Sequence, residues 1–342
     1  MPPVARDEVY RTYWWFASER QRIFDKRAQG EPDPWTEDHI LSTYKFCNTF
    51  RASDRVSQFL IREVIYGPDS PRLSSEDMLL RIVLFRLFSR ETTWRIIEDE
   101  LGPLTVASFD PERLDRRLED ELAAGRPIYT HAFILCANKA FGHDRKHRNH
   151  LALLETMLRD ASLHQALARA RTLQTVYETL LAYPLLGPFM AYQLAIDLNY
   201  SELLDLSEDE FTVAGPGAER GIRKVFADRG GLRSEELIRW MVDHQDEECE
   251  RLAITAPSLY GRRLHAIDCQ GLFCEVDKYS RVAFPHLRSN RKAIKATFKA
   301  SLEPLTLFYP PKWQLNHKLP SQDPRTAQTE EPDQQQLFAL AS

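Results

Sequence analysis

Leu180-Leu181-Ala182-Tyr183-Pro184-Leu185-Leu186-Gly187-Pro188-Phe189-Met190-Ala191 is the stretch on which the fold turns. An apolar helical pattern enters it over 172–182 and a second leaves it over 187–199. Proline and glycine at 184, 187 and 188 punctuate the join, so the spacing predicts two helices closed by a tight turn. When the second helix of such a pair opens with exposed N–H groups, those donors and the helix dipole can hold a phosphate without reading base sequence. The plainer alternative is an αα-hairpin inside a helical core, with no ligand.

Working outward, helical periodicity covers 1–30 and ends at Gly30 and Pro32. Pro34-Trp35-Thr36 opens another helix, with Thr36 as N-cap, and a further one runs from Tyr44 through Arg55 to about Ile65, where Gly67-Pro68 stops it. Residues 75–102 read as two helices with Ser75 and Thr92 as N-caps and Gly102 as C-cap; apolar residues crowd Leu79 to Phe88 densely enough to place that helix deep in the core. Helical patterns follow over 111–124, 130–141, 149–160, 162–170, 218–229, 234–253 and 291–301. Strand-like alternation is almost absent and no internal repeat is visible. The expectation is an all-α domain over 1–303, with a division into two lobes, about 1–170 and 171–303, left open. From 304 the pattern decays into Pro-rich sequence, and the Gln-, Asp-, Glu- and Pro-rich stretch 320–342 reads as a disordered tail. Gln336-Leu337-Phe338-Ala339-Leu340 inside it is either a short docking peptide or a frayed end.

Composition removes several classes. Only 13 of the 342 residues are glycine, against the turn demands of doubly wound sheets and propellers, and neither GxGxxG nor GxxxxGK[ST] occurs. The balance of 45 Lys+Arg to 50 Asp+Glu, net charge -5, argues against coating nucleic acid by bulk charge and leaves a local basic patch open. The charged, aromatic start MPPVARDEVYRTYWW is no signal peptide, and no apolar run is long enough to span a membrane. Cys47, Cys136, Cys249, Cys269 and Cys274 are odd in number, widely spaced and without CxxC, as free thiols in a reducing compartment would be. A soluble protein of the cytoplasm follows, bacterial or phage-infected, or of the nucleus in a eukaryote. No cofactor or metal is expected: His143, His147 and His150 are interleaved with Arg145, Lys146 and Arg148, which repel a cation, and His244, Cys249, His265, Cys269 and Cys274 lack ligand spacing.

Three constellations carry chemistry. Ala214-Gly215-Pro216-Gly217-Ala218-Glu219-Arg220-Gly221-Ile222-Arg223-Lys224 places three scarce glycines in seven residues and opens a helix with cations where acids are normally favoured. Gly215 and Gly217 would free backbone N–H groups, and Arg220 and Lys224 would add charge, for a phosphate or pyrophosphate. Within Asp268-Cys269-Gln270-Gly271-Leu272-Phe273-Cys274-Glu275-Val276-Asp277-Lys278-Tyr279-Ser280-Arg281, Asp277–Arg281 and Cys274–Lys278 are i,i+4 pairs if the segment is helical. From 278 to 299 stand seven basic residues and no acid: Lys278, Arg281, Arg288, Arg291, Lys292, Lys295 and Lys299, a polyanion footprint or a solvated basic face.

The hairpin resembles that of base-excision DNA glycosylases, L-P-G-V-G-x-x-x-A. Pro184, Gly187 and Ala191 fit, while Leu185 replaces the first glycine and crowds the turn. In those enzymes a catalytic aspartate follows the hairpin; here the interval lands on Ser207-Glu208-Asp209-Glu210, with Asp197 a further candidate, unless Ser207 and Glu210 simply cap a helix.

Taken together the chain resembles the α-glutamyl/putrescinyl thymine pyrophosphorylases, the amino acid:DNA transferases of hypermodified DNA, whose helical module is shared with 5-hydroxymethyl-deoxyuridine (5-hmdU) DNA kinases. The likeness rests on Trp15, Glu19-Arg20, Lys26-Arg27, Pro34-Trp35-Thr36, Phe46-Cys47-Asn48-Thr49-Phe50-Arg51-Ala52-Ser53-Asp54-Arg55 and the 214–222 and 272–281 segments, over about 8–300. It implies a DNA-glycosylase-like helical fold acting on DNA, in which a pyrophosphorylated 5-hydroxymethyluracil loses pyrophosphate and gains an amine, from an amino acid or polyamine. In that light Trp14, Trp15, Trp35, Asn48, Arg51, Asp54 and Arg55 are base-pocket candidates. Gly215, Gly217, Arg220, Lys224, Lys278 and Arg281 would take pyrophosphate, Asp197, Glu210 or Asp277 would accept the amine's proton, and Gly187, Arg288, Arg291, Lys292 and Lys295 would hold DNA. Arg51, Asp54 and Arg55 share no single helical face, so one i,i+3 or i,i+4 contact, structural or catalytic, is expected among them. Kinase activity in this chain is discounted for want of a Walker A loop. The alternatives are a non-catalytic DNA-binding module beside a separate 5-hmdU kinase, or a base-excising glycosylase.

Overall fold

In the computed structural model, residues 3–130, 139–287, 293–294, 296–301 and 303–320 are described. A short strand β1 (Val4–Ala5) leads into α1 (Asp7–Ala28), followed by α2 (His39–Thr43) and α3 (Arg55–Phe59), which continues as a π-helical turn, Leu60–Ile65. Then come α4 (Ser75–Phe88), α5 (Glu91–Leu101), α6 (Pro111–Ala123), α7 (Lys146–Arg159), α8 (Ala161–Arg169), α9 (Leu173–Leu181), α10 (Pro188–Asn199) and α11 (Pro216–Val225). Strand β2 (Phe226–Asp228), α12 (Ser234–Asp243), α13 (Gln245–Arg251) and α14 (Ala266–Ala283) complete the order. Among the described residues the antiparallel pair β1–β2 is the only sheet, so the mainly helical expectation holds.

Start signals explain most boundaries. Ser74, not Ser75, caps α4 in a reciprocal box with Asp77, and Asp38, not Thr36, caps α2 by accepting from the N–H groups of Ile40 and Leu41. α5 starts at Glu91 with Arg90 in the N-cap position, ahead of Thr92. α4 and α10 form the interior: every residue from Leu79 to Phe88 and from Met190 to Asn199 is buried.

The hairpin is present as α9 against α10. Leu185, standing where the glycosylase motif has glycine, adopts φ +69°, the left-handed backbone that only glycine enters without cost. Gly187 is the exposed N-cap of α10 with ordinary φ -70°, and nothing lies within 4 Å of where its Cβ would be.

Gly215, Gly217 and Gly221 serve close packing, a role that the phosphate-cradle reading of Gly215 and Gly217 did not include. A Cβ on Gly217 would stand 2.7 Å from Cys274 Sγ, and one on Gly221 would stand 1.9 Å from the Phe273 carbonyl oxygen. α11 therefore lies backbone-close on α14. A Cβ on Gly215 would meet the Phe189 ring at 2.7 Å.

The long helix expected from Tyr44 to Ile65 does not form over 44–54. Two of its N–H groups are taken by distant carboxylates, Cys47 N–H donating to Glu275 (3.0 Å) and Arg51 N–H to Asp268 (2.8 Å), and Asn48 N–H donates to Asp54 within the segment (2.8 Å). The described residues of 291–301 are not helical either; Thr297 bridges to Tyr44 in an antiparallel pairing. No helix starts at Ser207, so the N-cap alternative falls. Of the expected tail, the described part folds back as a strap. Phe308 exchanges two backbone bonds with the Gln58 amide, Tyr309 is buried against Ser53, and Lys312 Nζ donates to the Ser201 and Leu204 carbonyls beyond the end of α10. Residues 321–342, with the apolar 336–340 peptide, lie outside the described residues, as do 131–138 within the expected 130–141 helix.

Candidate active site

The segment 44–54 is held against α1 and the middle of α14, and the junction of the three is the candidate recess. Arg20 on α1 donates to the Cys47 carbonyl (3.1 Å) and to Asn48 Oδ1 (2.7 Å), and Asn48 donates to the Ser53 carbonyl (2.6 Å). Lys278 on α14 binds Glu275 (2.6 Å) and the Lys45 carbonyl (3.1 Å) and lies 4.8 Å over the Phe46 ring. Burial pushes the Asp54 carboxyl up to about 6 and the Cys274 thiol up to about 12, and raises the Cys47 thiol. Yet Cys47 is exposed and Asn48, Asp54 and Cys274 are only half-buried. These groups are desolvated yet still in contact with water. Asp54, titrating near neutrality there, is fitted to exchange protons with a guest.

Beneath Cys274 sits the second element. Asp277, wholly buried on α14, faces Arg220 (3.1 Å) and Lys224 (3.0 Å) from α11 and Arg281 (2.7 Å) one turn on. Burial would raise the Asp277 carboxyl, but Arg281 and Lys224 hold it below the usual range; Lys224, itself desolvated, is lowered. Three cations against one carboxylate leave two positive charges in excess, and of the three only Arg220 has substantial solvent contact, with 22% of its side chain exposed. The i,i+4 pairing of Asp277 with Arg281 is as the sequence predicted. Lys278 and Arg281 thus turn inward to carboxylates rather than widening an open basic face, and Arg288, Arg291, Lys292 and Lys295 lie outside the described residues.

Asp197 and Arg51 meet, but in the core. Arg51 donates to Asp197 (2.8 Å), Gln193 Oε1 (2.9 Å) and Tyr200 (2.9 Å), and Arg86 on α4 donates to both Asp197 oxygens. Burial opposes the charge on Arg51, but Tyr200 and Asp197 outweigh it and its pKa is raised. Arg86 escaped the sequence reading, although a cation inside the apolar 79–88 run signals a buried acid.

Other candidates disperse. Trp14 is enclosed in the core with Tyr10 and Tyr13 edge-on to it, leaving no face for a base; Trp15 is half-buried against Tyr279. Arg55 is exposed and pairs with Glu91 (3.2 Å); the i,i+3 contact between Arg51 and Asp54 forms through the backbone, Asp54 N–H donating to the Arg51 carbonyl (3.1 Å), and no side-chain bond among the three is present among the described residues. Glu210 faces solvent, whereas its neighbours Glu208 and Asp209 pair with Arg262 (2.8 Å) and His265 (2.9 Å). His147 binds Asp115 (2.8 Å) and His150 is buried against Tyr129. Trp35 lines a separate cleft of about 180 Å³, which shares Arg20 and Phe46 with the recess. No described helix is long and apolar enough to cross a membrane.

Residues 7–289 match the family described as 5-hmdU DNA kinase, helical domain. The 5-hmdU DNA kinase of Bacillus phage SP10 is 28% identical over 295 residues, which cover 81% of this chain and 46% of the phage protein. The chain therefore spans about half the length of the curated relative it matches. No solved structure matches it.

Proposed function

The chain belongs to the 5-hmdU DNA kinase helical-domain family, and from this we propose that it acts in the hypermodification of thymine in DNA, replacing the pyrophosphate of a 5-pyrophosphorylated hydroxymethyluracil with an amine. The observation that carries this reading is the double excess of positive charge at Arg220, Lys224 and Arg281 beside a recess containing a carboxyl near pKa 6. A base swung out of the stack enters between the 44–54 segment and α14. Its pyrophosphate lies toward Arg220, where charge develops as the bond to the 5-methylene carbon breaks. The amine nitrogen forms the new bond to that carbon, the bonding pair departs with pyrophosphate, and the proton lost by nitrogen passes to the Asp54 carboxylate. This moves the base role from Asp197, Glu210 and Asp277 to Asp54. Asp197 and Asp277 are engaged by cations, and Glu210 faces solvent.

A second reading is a base-holding module working beside a kinase; the printed name of the phage relative and the half-length match favour it. Excision of the base fits less well, since Asp209, in the glycosylase interval, pairs with His265 and both oxygens of Asp197, the further candidate, are occupied by arginine.

Incubation with DNA bearing pyrophosphorylated hydroxymethyluracil, together with amino acids or polyamines, followed by digestion and mass spectrometry, tests the proposal. A heavier nucleoside supports transfer, free base supports excision, and bound but unchanged DNA supports the module. Turnover that survives Arg220→Gln would remove the pyrophosphate role.

A further inference from the structure

The cation cluster on α11 and α14 has a property beyond its sign. Arg220 spends only Nε on Asp277 (3.1 Å), and among the described residues neither of its terminal amines has a protein acceptor. Those two donors form a free fork, the geometry that takes two oxygens of one phosphate group. Behind it Lys224 and Arg281 are nearly enclosed and fixed by Asp277. The carboxylates alongside are engaged as well. Asp277 meets three cations, and Glu275 accepts from Lys278 (2.6 Å) and from the Cys47 N–H (3.0 Å). Of the recess acids only Asp54, which accepts from the Asn48 N–H, has no ion pair among the described residues.

We propose that this site takes pyrophosphate as the metal-free anion, and that magnesium works against binding and draws the released product away. Phosphate sites that use magnesium offer it one or two open carboxylates, with the phosphates completing its shell. Here the balance is reversed. Positive charge already exceeds the acid by two, and every acid of the recess but Asp54 is committed to a cation. Magnesium entering with the anion would add two further positive charges and compete with Arg220 for the same oxygens. On Asp54 it would occupy the carboxylate that must accept the amine's proton. The identity of the anion rests on the transfer reading; metal-free binding of added pyrophosphate does not require transfer to occur. The consequence is a regulated release: product stays on the Arg220 fork until magnesium in solution captures it, so free magnesium sets the degree of product inhibition.

The test is calorimetric titration of the full chain, without DNA, with inorganic pyrophosphate in EDTA and again in excess magnesium, orthophosphate serving as the control. In EDTA pyrophosphate should bind at least about tenfold more tightly than orthophosphate, and magnesium should weaken it about tenfold or more. Arg220→Gln should weaken the metal-free binding about tenfold or more, and Arg220→Lys, which keeps the charge and loses the fork, by less. Asp277 keeps Lys224 and Arg281 in both variants, so both should melt within about 4 °C of the wild type. No binding in EDTA, binding that magnesium strengthens, or binding indifferent to Arg220→Gln overturns the inference. Strengthening by magnesium that Asp54→Asn abolishes overturns it by placing the metal on Asp54. In the transfer assay, a heavier nucleoside that forms only with magnesium upholds transfer and overturns the metal-free anion. Pyrophosphate that binds in EDTA and weakens with magnesium, with no heavier nucleoside in either condition, upholds the site and overturns transfer.

Discussion

Asp197→Asn separates a structural carboxylate from a catalytic one. In the wild type two buried guanidiniums, Arg51 and Arg86, share the single Asp197 carboxylate, which is wholly excluded from solvent. The amide removes the negative charge that both guanidiniums contact and turns hydrogens toward one arginine, so Arg51 and Arg86 lose the carboxylate they share. Breaking a buried ion pair from one side costs about 3–5 kcal/mol. At roughly 2 °C per kcal/mol for a large domain, the melting temperature should fall by about 6–10 °C. Arg86→Met is the control. It leaves Arg51 and Asp197 matched one to one and strands chiefly one carboxylate oxygen, at a cost of about 1–3 kcal/mol. The order, aspartate variant well below arginine variant, follows from counting charges and is read by differential scanning fluorimetry at neutral pH. If Asp197→Asn melts within 2 °C of the wild type yet loses turnover, the carboxylate works in chemistry and the account of the core is wrong.

Asp54 supplies a pH test. Its raised carboxyl keeps a proton in the folded state that the unfolded chain releases, so from about pH 4 to 6 the wild type should lose stability relative to Asp54→Asn, as paired chemical denaturation across that range will show. Under the transfer reading turnover climbs as pH passes about 6 and Asp54 ionises, and the asparagine variant lacks that limb. Gly221→Ala drives a Cβ into the Phe273 carbonyl and should cost about 3 kcal/mol or leave the chain insoluble, whereas Gly187→Ala, with open space around it, should melt within about 2 °C of the wild type. If the hairpin holds a phosphate, Gly187→Ala should still weaken DNA binding, measured by fluorescence anisotropy at fixed salt. Ending the chain after Glu303 removes both Phe308 bonds to Gln58 and the Lys312 contacts, and should lower the melting temperature and loosen Asn48 and Asp54 in amide exchange.

The helical class was legible because burial periodicity is local: 3.6-residue spacing over 91–101, 111–123 and 173–181 needs only near neighbours to be read. The 44–54 segment was not, because its N–H groups are satisfied by Glu275 and Asp268, more than 200 positions away. Local propensity was overruled by partners that no window contains. Glycine clustering at 215–221 was seen, but a phosphate cradle and a close helix crossing both require a missing Cβ, and only the position of α14 tells them apart. Within the basic run at 278–299, Lys278 and Arg281 misled in a related way. Sequence gives the sign of a charge and not its direction, and α14 turns Lys278 and Arg281 toward its own acids.

That inward turn bears on where chemistry can occur. An acid can act as a base only when it is ionised near the working pH and reachable by the proton it must take. Asp277 is held ionised by its cations but is sealed beneath Cys274, and Asp197 has both oxygens occupied in the core. What these two acids do is fix cations: Asp277 holds Arg220 at the edge of the recess, and Asp197 holds Arg51, whose own N–H is bound by Asp268 at the end of the open segment. Rigid cations are what a departing pyrophosphate requires, since charge stabilisation is strongest where donors need not reorganise. Under the transfer reading the buried acids therefore serve by positioning, and Asp54, half-buried and near pKa 6, is left as the acid that can meet both conditions.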